Sequence, residues 1–410
     1  MAEFKDREHF IPLHCGDLVE FLCTEKGPMA EQKVSVQDQR IFRSFAAKVM
    51  DHFHREYHDW LKRLKVDYIP FDPDSDLRTL VPLTPEQKEK RQESLFNEFS
   101  RLLERANYVH MTRPQIETTM AGSSLWGIDM DVDWNCFERL ELFYRGEHVG
   151  HRTRKHWWKW WKKFDVTVPT FQRMVLIVKQ KPHKRLGADA DVEHIFMKMF
   201  KDIPKMDLEM IFPGTKIKMK MWDRGKLGAS TAGTIGYVSY KIGSMFDVIV
   251  NAVTGAFTAA ALVLYAPLML VLGYAYKTWS GFQYTKKQYM FTLTQSLYYQ
   301  NLDNNAGLLF RILDEAEEQE SREAILGYFF LWRYAGERGW MQEELDDYIE
   351  LELEKRLNLK IDFEIGDAIE KLVRLKLVQQ VEGRYRAVPI ESAIATLTRI
   401  YEETKQKAGG

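Results

Sequence analysis

Cysteine is scarce in this chain. Cys15, Cys23 and Cys136 are the three present in 410 residues. They are too few and too scattered for a disulfide framework, so free thiols in a reducing compartment are expected. The sequence has no Walker A loop, no GxGxxG and no GxSxG. The signature grounds for nucleotide hydrolysis, dinucleotide binding and serine-hydrolase chemistry are therefore missing. It has no internal repeat and no low-complexity tract, which argues against solenoids and disordered tails. The opening MAEFKDREHF carries Glu3, Asp6 and Glu8 and no apolar run, so it is neither a secretory signal nor an Arg-rich, acid-poor transit peptide.

Against these absences stand 45% hydrophobic residues, 29% charged residues and a mean hydropathy of −0.38. Such a chain is mostly globular, with two or three domains as the length-based expectation. Residues 36–66 repeat apolar side chains at helical spacing: Ile41, Phe42, Phe45, Val49, Phe53, Trp60, Leu61 and Leu64. Thr84, Pro85 and Gln87 form a cap, a first-turn proline and a capping box, which predict a second helix over 85–107. From about residue 136 the period becomes two, in FERLELFYRGEH, FQRMVLIVKQK, VEHIFMKMFKD and TKIKMKMWDR. These predict strands of a mixed α+β domain.

The segment HWWKWWKKF, residues 156–164, is expected as a helix crossing between the first two strands. As a helix it gathers Trp157, Trp158, Trp160 and Trp161 within an arc of about 160°, with Lys159, Lys162 and Lys163 opposite. A core helix, an interfacial helix and a platform for single-stranded nucleic acid are the three readings. Residues 248–276 carry no charge, more than the roughly 20 residues that cross a hydrocarbon core. They predict a transmembrane span, or a hairpin over about 230–277; a buried helix pair is the alternative.

The net charge of −1 conceals an asymmetry. Residues 151–226 hold 19 basic and 8 acidic residues, whereas residues 336–388 hold 9 basic and 13 acidic. Basic flanks beside an apolar stretch favour an anionic leaflet as partner and the positive-inside face as location. The interfacial reading of the Trp/Lys segment gains from that placement. From 321 onward the pattern is helix, short extended piece, two helices, a hairpin at Glu382-Gly383 and a final helix. This is the order of a winged-helix module. Its presumed recognition helix carries Glu364, Asp367 and Glu370, which repel phosphate, so a protein partner is expected there and nucleic acid is not.

Candidate chemistry is thin. His52, His54 and His58 lie on the first helix, but HREYH is not the HExxH of a zinc protease. Asp129, Asp131 and Asp133 alternate without the central glycine of a calcium loop. His9, His14, Cys15 and Cys23 lack zinc-knuckle spacing. Asp314, Glu317 and Glu318, in LDEAEEQESRE, lack the histidines of a di-metal site and read as a solvated, ion-paired face. No cofactor, metal or small-molecule ligand is predicted, and no catalytic residue is assigned.

Two longer motifs, MKMFKDIPKMDLEMIFPGTKIKMKMWDR (197–224) and LYYQNLDNNAGLLFRILDEAEEQESREAILGYFFLW (297–332), resemble the family called domain of unknown function 3754. Transmembrane protein 143, a mitochondrial protein, is its animal member. The resemblance covers roughly 130–390 and implies membrane association and no established activity. It brings no catalytic residues. Asp202, Asp207 and Glu209 in the first motif, with Asp303, Asn304 and Asn305 in the second, are the candidate polar contact surface where the motifs meet. Domain packing is the alternative role for them. Asp207 is expected at the start of a short helix, and 303–305 within a helical run.

The expected architecture is α+β and mostly α. A helical N-terminal region spans 1–130, a basic mixed α+β domain 131–226, an apolar transmembrane hairpin 227–282, and a helical region with a winged-helix-like module 283–410. The expected function is a membrane-anchored scaffold or regulator that recruits a protein partner. It would sit on the cytoplasmic face of a bacterial inner membrane, or in the mitochondrial inner membrane if a leader has been removed. A membrane-surface enzyme and a soluble winged-helix nucleic-acid binder are the alternatives.

Overall fold

Two helices frame the N-terminal part, and both begin where a side chain caps them. A computed structural model describes residues 10–24, 28, 35–76, 82–120, 129–155, 163–187, 190–218, a discontinuous set between 269 and 296, and 297–408. After α1 (Cys15–Cys23) comes the long helix α2 (Val36–Tyr68), whose first free amides are met by the Ser35 hydroxyl accepting from Asp38 N. Helix α3 (Pro85–Arg105) starts at the expected capping box of Thr84 and Gln87. Helix α4 (Arg113–Met120) follows.

A five-stranded antiparallel sheet forms the middle layer. Its order is β1 (Val109–His110), β3 (Phe137–Lys155), β4 (Lys163–Gln180), β5 (Ile195–Pro204) and β7 (Asn301–Asn304). Between them β2 (Asp129–Asp131) pairs with β6 (Lys216–Lys218). Both edges of the main sheet are short strands, which limits the unpaired backbone open to further strand addition. On β4, Val175 and Ile177 face one core while Met174, Leu176 and Val178 face the other. MVLIV is a continuous apolar run because both sheet faces are covered.

The helical layer packs on the first of those faces. Its centre is α5 (Asn305–Tyr334), which is buried on every side from Gln319 to Leu331. Against it lie α1, α2, α3, α6 (Gln342–Leu357) and α7 (Ile365–Arg374). Phe42 meets Phe329 edge to face at 5.1 Å, and Phe45 stacks on Tyr328 at 4.0 Å. Each fully buried phenylalanine stabilises the fold by roughly 1.5–3 kcal/mol relative to exposure. The N-terminal helices and the C-terminal elements therefore share one core with one sheet face.

Beyond α5, Trp340 bridges to Tyr385. Then come α6, α7, the hairpin β8 (Val378–Val381) and β9 (Arg384–Ala387), and α8 (Ile390–Ala408). Trp340 thus makes a single antiparallel bridge beside the two-stranded β8–β9 hairpin.

Three expectations are corrected. The first is the transmembrane hairpin over 227–282, together with the transmembrane, lipid-interface class and the membrane localisation built on it. No helix among the described residues is long and apolar enough to cross a membrane. The long described helices α2, α3 and α8 alternate charge with apolar residues on an amphipathic period, and α5 carries its charged residues at mid-helix. Residues 219–268 lie outside the described residues. The second is the helix crossing between the first two strands. Lys155 pairs with Lys163 and Arg154 with Phe164, so the end of the segment expected as a helix is strand, while residues 156–162 lie outside the described residues. The third is the helical run through 303–305. Residues 301–304 are strand, and the helix starts at Asn305.

Candidate functional site

Asp314 is exposed, and Glu317 and Glu318 are half-buried and paired with His54 and Arg322, as an ion-paired face requires, but the turn of α5 that follows them is buried. Gln319, Glu320, Ser321, Arg322 and Glu323 are all buried, with Glu320 at 0% exposure. Burial of a carboxylate is tolerable only with partners. Lys371, on α7, places Nζ 2.5 Å from Glu323 Oε2 and 3.0 Å from Glu320 Oε2. Arg105, at the end of α3, lies 3.1 Å from Glu320 Oε1. Burial pulls the Lys371 ammonium down, but Glu323 and Glu320 outweigh it and hold the group above its ordinary value. Burial pushes the Glu320 carboxyl up despite Lys371 and Arg105 beside it.

The network ties distant segments together. Gln319 Nε2 donates to Glu323 at 2.7 Å, and Gln319 Oε1 accepts from Ile11 N at 3.3 Å. Arg322 donates to Ile11 O at 2.7 Å and pairs with Glu318. On α7 the next basic residue, Arg374, donates both guanidinium nitrogens to Glu56 of α2, at 2.9 and 3.1 Å. Burial pushes the Glu56 carboxyl up, but hydrogen bonds from His52 and Arg374 outweigh it and bring it down to about 2. Both basic side chains of α7, Lys371 buried and Arg374 exposed, are thus engaged by acids of its own chain. Asp367 and Glu370 stay exposed, and together with Arg105, Lys371 and Arg374 they line a cleft of about 220 Å³.

The predicted polar surface is dispersed along the β5–β7 pairing. Lys198 pairs with Asn304 and Met199 with Asp303, so the two quoted motifs meet as neighbouring strands. Asp303 binds Arg311 at 2.6 Å. Asn305 is buried with φ at 47°, accepts from Met197 N at 3.1 Å and donates to Asp74 at 2.6 Å. Asp202 accepts through its backbone carbonyl from Gln300 at 2.8 Å. Asp207 and Glu209 are buried in the 3-10 helix Lys205–Ile211. Trp157, Trp158, Lys159, Trp160, Trp161 and Lys162 lie outside the described residues, while Lys163 opens β4. His54 is exposed and contacts Glu317 at 3.0 Å, and His52 contacts Glu56 at 3.4 Å.

A third cluster carries no sequence signature. Cys136 precedes β3, whose first residue Phe137 pairs with Gln180 at the end of β4. That register brings His183, just past β4, to the thiol. Cys136 Sγ lies 3.1 Å from His183 Nδ1, and His183 Nε2 lies 3.7 Å from Asp133 Oδ2. Arg185 reaches Asp131 at 2.6 Å and Asp133 at 3.1 Å. The alternating aspartates therefore hold an arginine. Burial and the Asp133 charge push the Cys136 thiol up, against the pull of Arg185, Lys181 and Lys216. The signals available were Asp133 and Cys136 three apart and a histidine just past the pairing strand, and neither is specific alone.

An antiparallel sheet with a helical layer built on a charged central helix defines a mixed α+β protein, mostly helical, in which the two quoted motifs join as strands β5 and β7. Residues 137–307 match the family described as Protein of unknown function (DUF3754). The finer likeness to transmembrane protein 143 is not confirmed by that match. No solved structure matches the chain.

Proposed function

We propose that this protein is a scaffold or regulator that binds a protein partner through the outward face of α7 in its C-terminal module. The observation that carries the reading is the pairing of Lys371, buried, with Glu320 and Glu323 and of Arg374, at the surface, with Glu56. A recognition helix that reads nucleic acid needs its basic side chains toward phosphate. Here both side chains are held in intramolecular pairs, and the exposed acids Asp367 and Glu370 line the same cleft beside them. Such a face is complementary to a basic protein surface and repels a polyanion.

The test places a photoreactive side chain at Val373, which is 41% exposed beside that face. Irradiation in cells should give one discrete protein adduct, lost when Asp367 and Glu370 are both replaced by lysine. An adduct indifferent to that reversal, or none at all, overturns the reading. Steeply salt-dependent binding of duplex DNA by the unmodified chain would move the assignment to a nucleic-acid binder.

A further inference from the structure

Among the described residues, one group of three metal-capable side chains converges, namely Asp133, Cys136 and His183. One donor atom from each lies within 4.8 Å of the other two. Donors around a tetrahedral zinc ion sit about 3.3–3.8 Å apart, as follows from bonds of about 2.0–2.3 Å. The Cys136–His183 edge, at 3.1 Å, is already near that value. The carboxylate is the donor that has to close in.

The hydrogen bonds favour the ligating form of the imidazole. Arg185 N donates to His183 Nδ1 at 3.3 Å, and the Cys136 thiol faces the same nitrogen. Nδ1 therefore carries the lone pair, which a metal beside the sulfur would take over from the Arg185 amide, while Nε2 faces Asp133. The pocket around the sulfur is held by the fold. Asp133 accepts from Asn135 N at 3.2 Å, which fixes the turn carrying both it and Cys136. Gly214, at φ 73°, passes close enough that a β-carbon there would stand 3.7 Å from Cys136 Sγ. Cys136 is fully covered, yet His183 and Asp133 keep 27% and 20% of their side-chain surface, which leaves a way in from solvent.

A thiolate with an imidazole selects zinc over magnesium or calcium, which prefer all-oxygen sets. We propose that Asp133, Cys136 and His183 form a binding site for a divalent thiophilic cation, zinc foremost. The thiol proton passes to solvent as the sulfur–metal bond forms. Three protein ligands leave a fourth position for water or a substrate atom, the arrangement of reactive rather than purely structural zinc. Arg185 stays paired with Asp131 and orients the carboxylate of Asp133 from outside the metal shell.

The test uses the full chain. After incubation with zinc and passage over a chelating resin, metal content is measured by mass spectrometry. Cobalt(II) is loaded in parallel, and its thiolate charge-transfer absorption is read in the near ultraviolet. One equivalent of metal and a clear thiolate band are expected. Cys136→Ser should abolish the band, and His183→Gln should weaken binding at least tenfold. A Cys15→Ser, Cys23→Ser double variant should bind as the parent does. Circular dichroism of each variant separates lost ligands from lost fold, and Asp133→Asn, which keeps the turn's shape, gives a second readout should Cys136→Ser unfold. No retained metal, a band that survives Cys136→Ser, or a band that disappears only with Cys15 and Cys23 overturns the proposal.

Discussion

Lys371 Nζ stands 2.5 Å from Glu323 Oε2, and both side chains are more than nine-tenths buried. That contact fastens the recognition-type helix α7 to the central helix α5. Its value lies in what happens when one partner is removed. A buried ion pair contributes little net stability over a hydrophobic replacement, but a single buried charge left alone is costly.

Lys371→Met should therefore lower unfolding stability by about 3–5 kcal/mol, read as a reduced urea midpoint. Adding Glu320→Gln and Glu323→Gln to the same chain should recover much of that loss. If the triple variant is no more stable than the single one, the loss comes from packing rather than from stranded charge.

The outer clasp of α7 behaves differently. Arg374 and Glu56 are 44% and 33% exposed, and such pairs are strongly screened. A double-mutant cycle on Arg374→Ala and Glu56→Gln should give a coupling of at most about 1 kcal/mol. A larger value would mean that the pair is shielded from water far more than its exposure indicates.

Stability should depend on pH through two carboxyls of opposite sign. Glu56 is held at about 2, below its unfolded value, so its contribution is present above the unfolded pKa and is lost as pH falls through about 2. Glu364, at the start of α7, is pushed up to about 7 by burial and by the nearby charges of Glu323 and Asp367. Its ionised form opposes folding, so stability falls as pH rises from the unfolded carboxyl value through about 7. Glu364→Gln should gain on the parent across that interval and hold a constant advantage above it. Urea midpoints at pH 4.5, 6 and 8 check the trend, and an advantage that does not grow with pH removes it.

Asn305 does two jobs that different substitutions separate. It holds a left-handed backbone at φ 47°, and its amide joins Met197 of β5 to Asp74. Asn305→Ala loses both and should destabilise by about 2–4 kcal/mol. Asn305→Gly keeps the backbone and should cost less. Equal losses in thermal unfolding would show that the hydrogen bonds alone matter.

Local elements were legible where a local rule sufficed. The capping box at Thr84 and Gln87 placed the start of α3, and apolar spacing placed α2. The order of elements from α5 through β9 could be read from period and turn residues. Residues 303–305 misled because polar side chains at a strand-to-helix junction resemble an interruption within a helix. The apolar run 248–276 suggested a span on composition, and no described helix can make one.

What the sequence determined by itself was therefore part of the set of elements, among them α2, the start of α3 and the strands β3, β4 and β5: these follow from short-range periodicity, caps and turns, all of which act over a few residues. The partnerships were settled by tertiary structure. LDEAEEQESRE looked like a water-facing surface because its charges are visible in the sequence, while Arg105 and Lys371, which make burial tolerable, lie 215 and 48 residues away from the acids they meet. Cys136, His183 and Asp133 likewise meet only because the β3–β4 register carries the end of one strand back to the start of the other. Desolvation and charge pairing depend on which groups become neighbours, and a linear pattern does not encode neighbours so far apart.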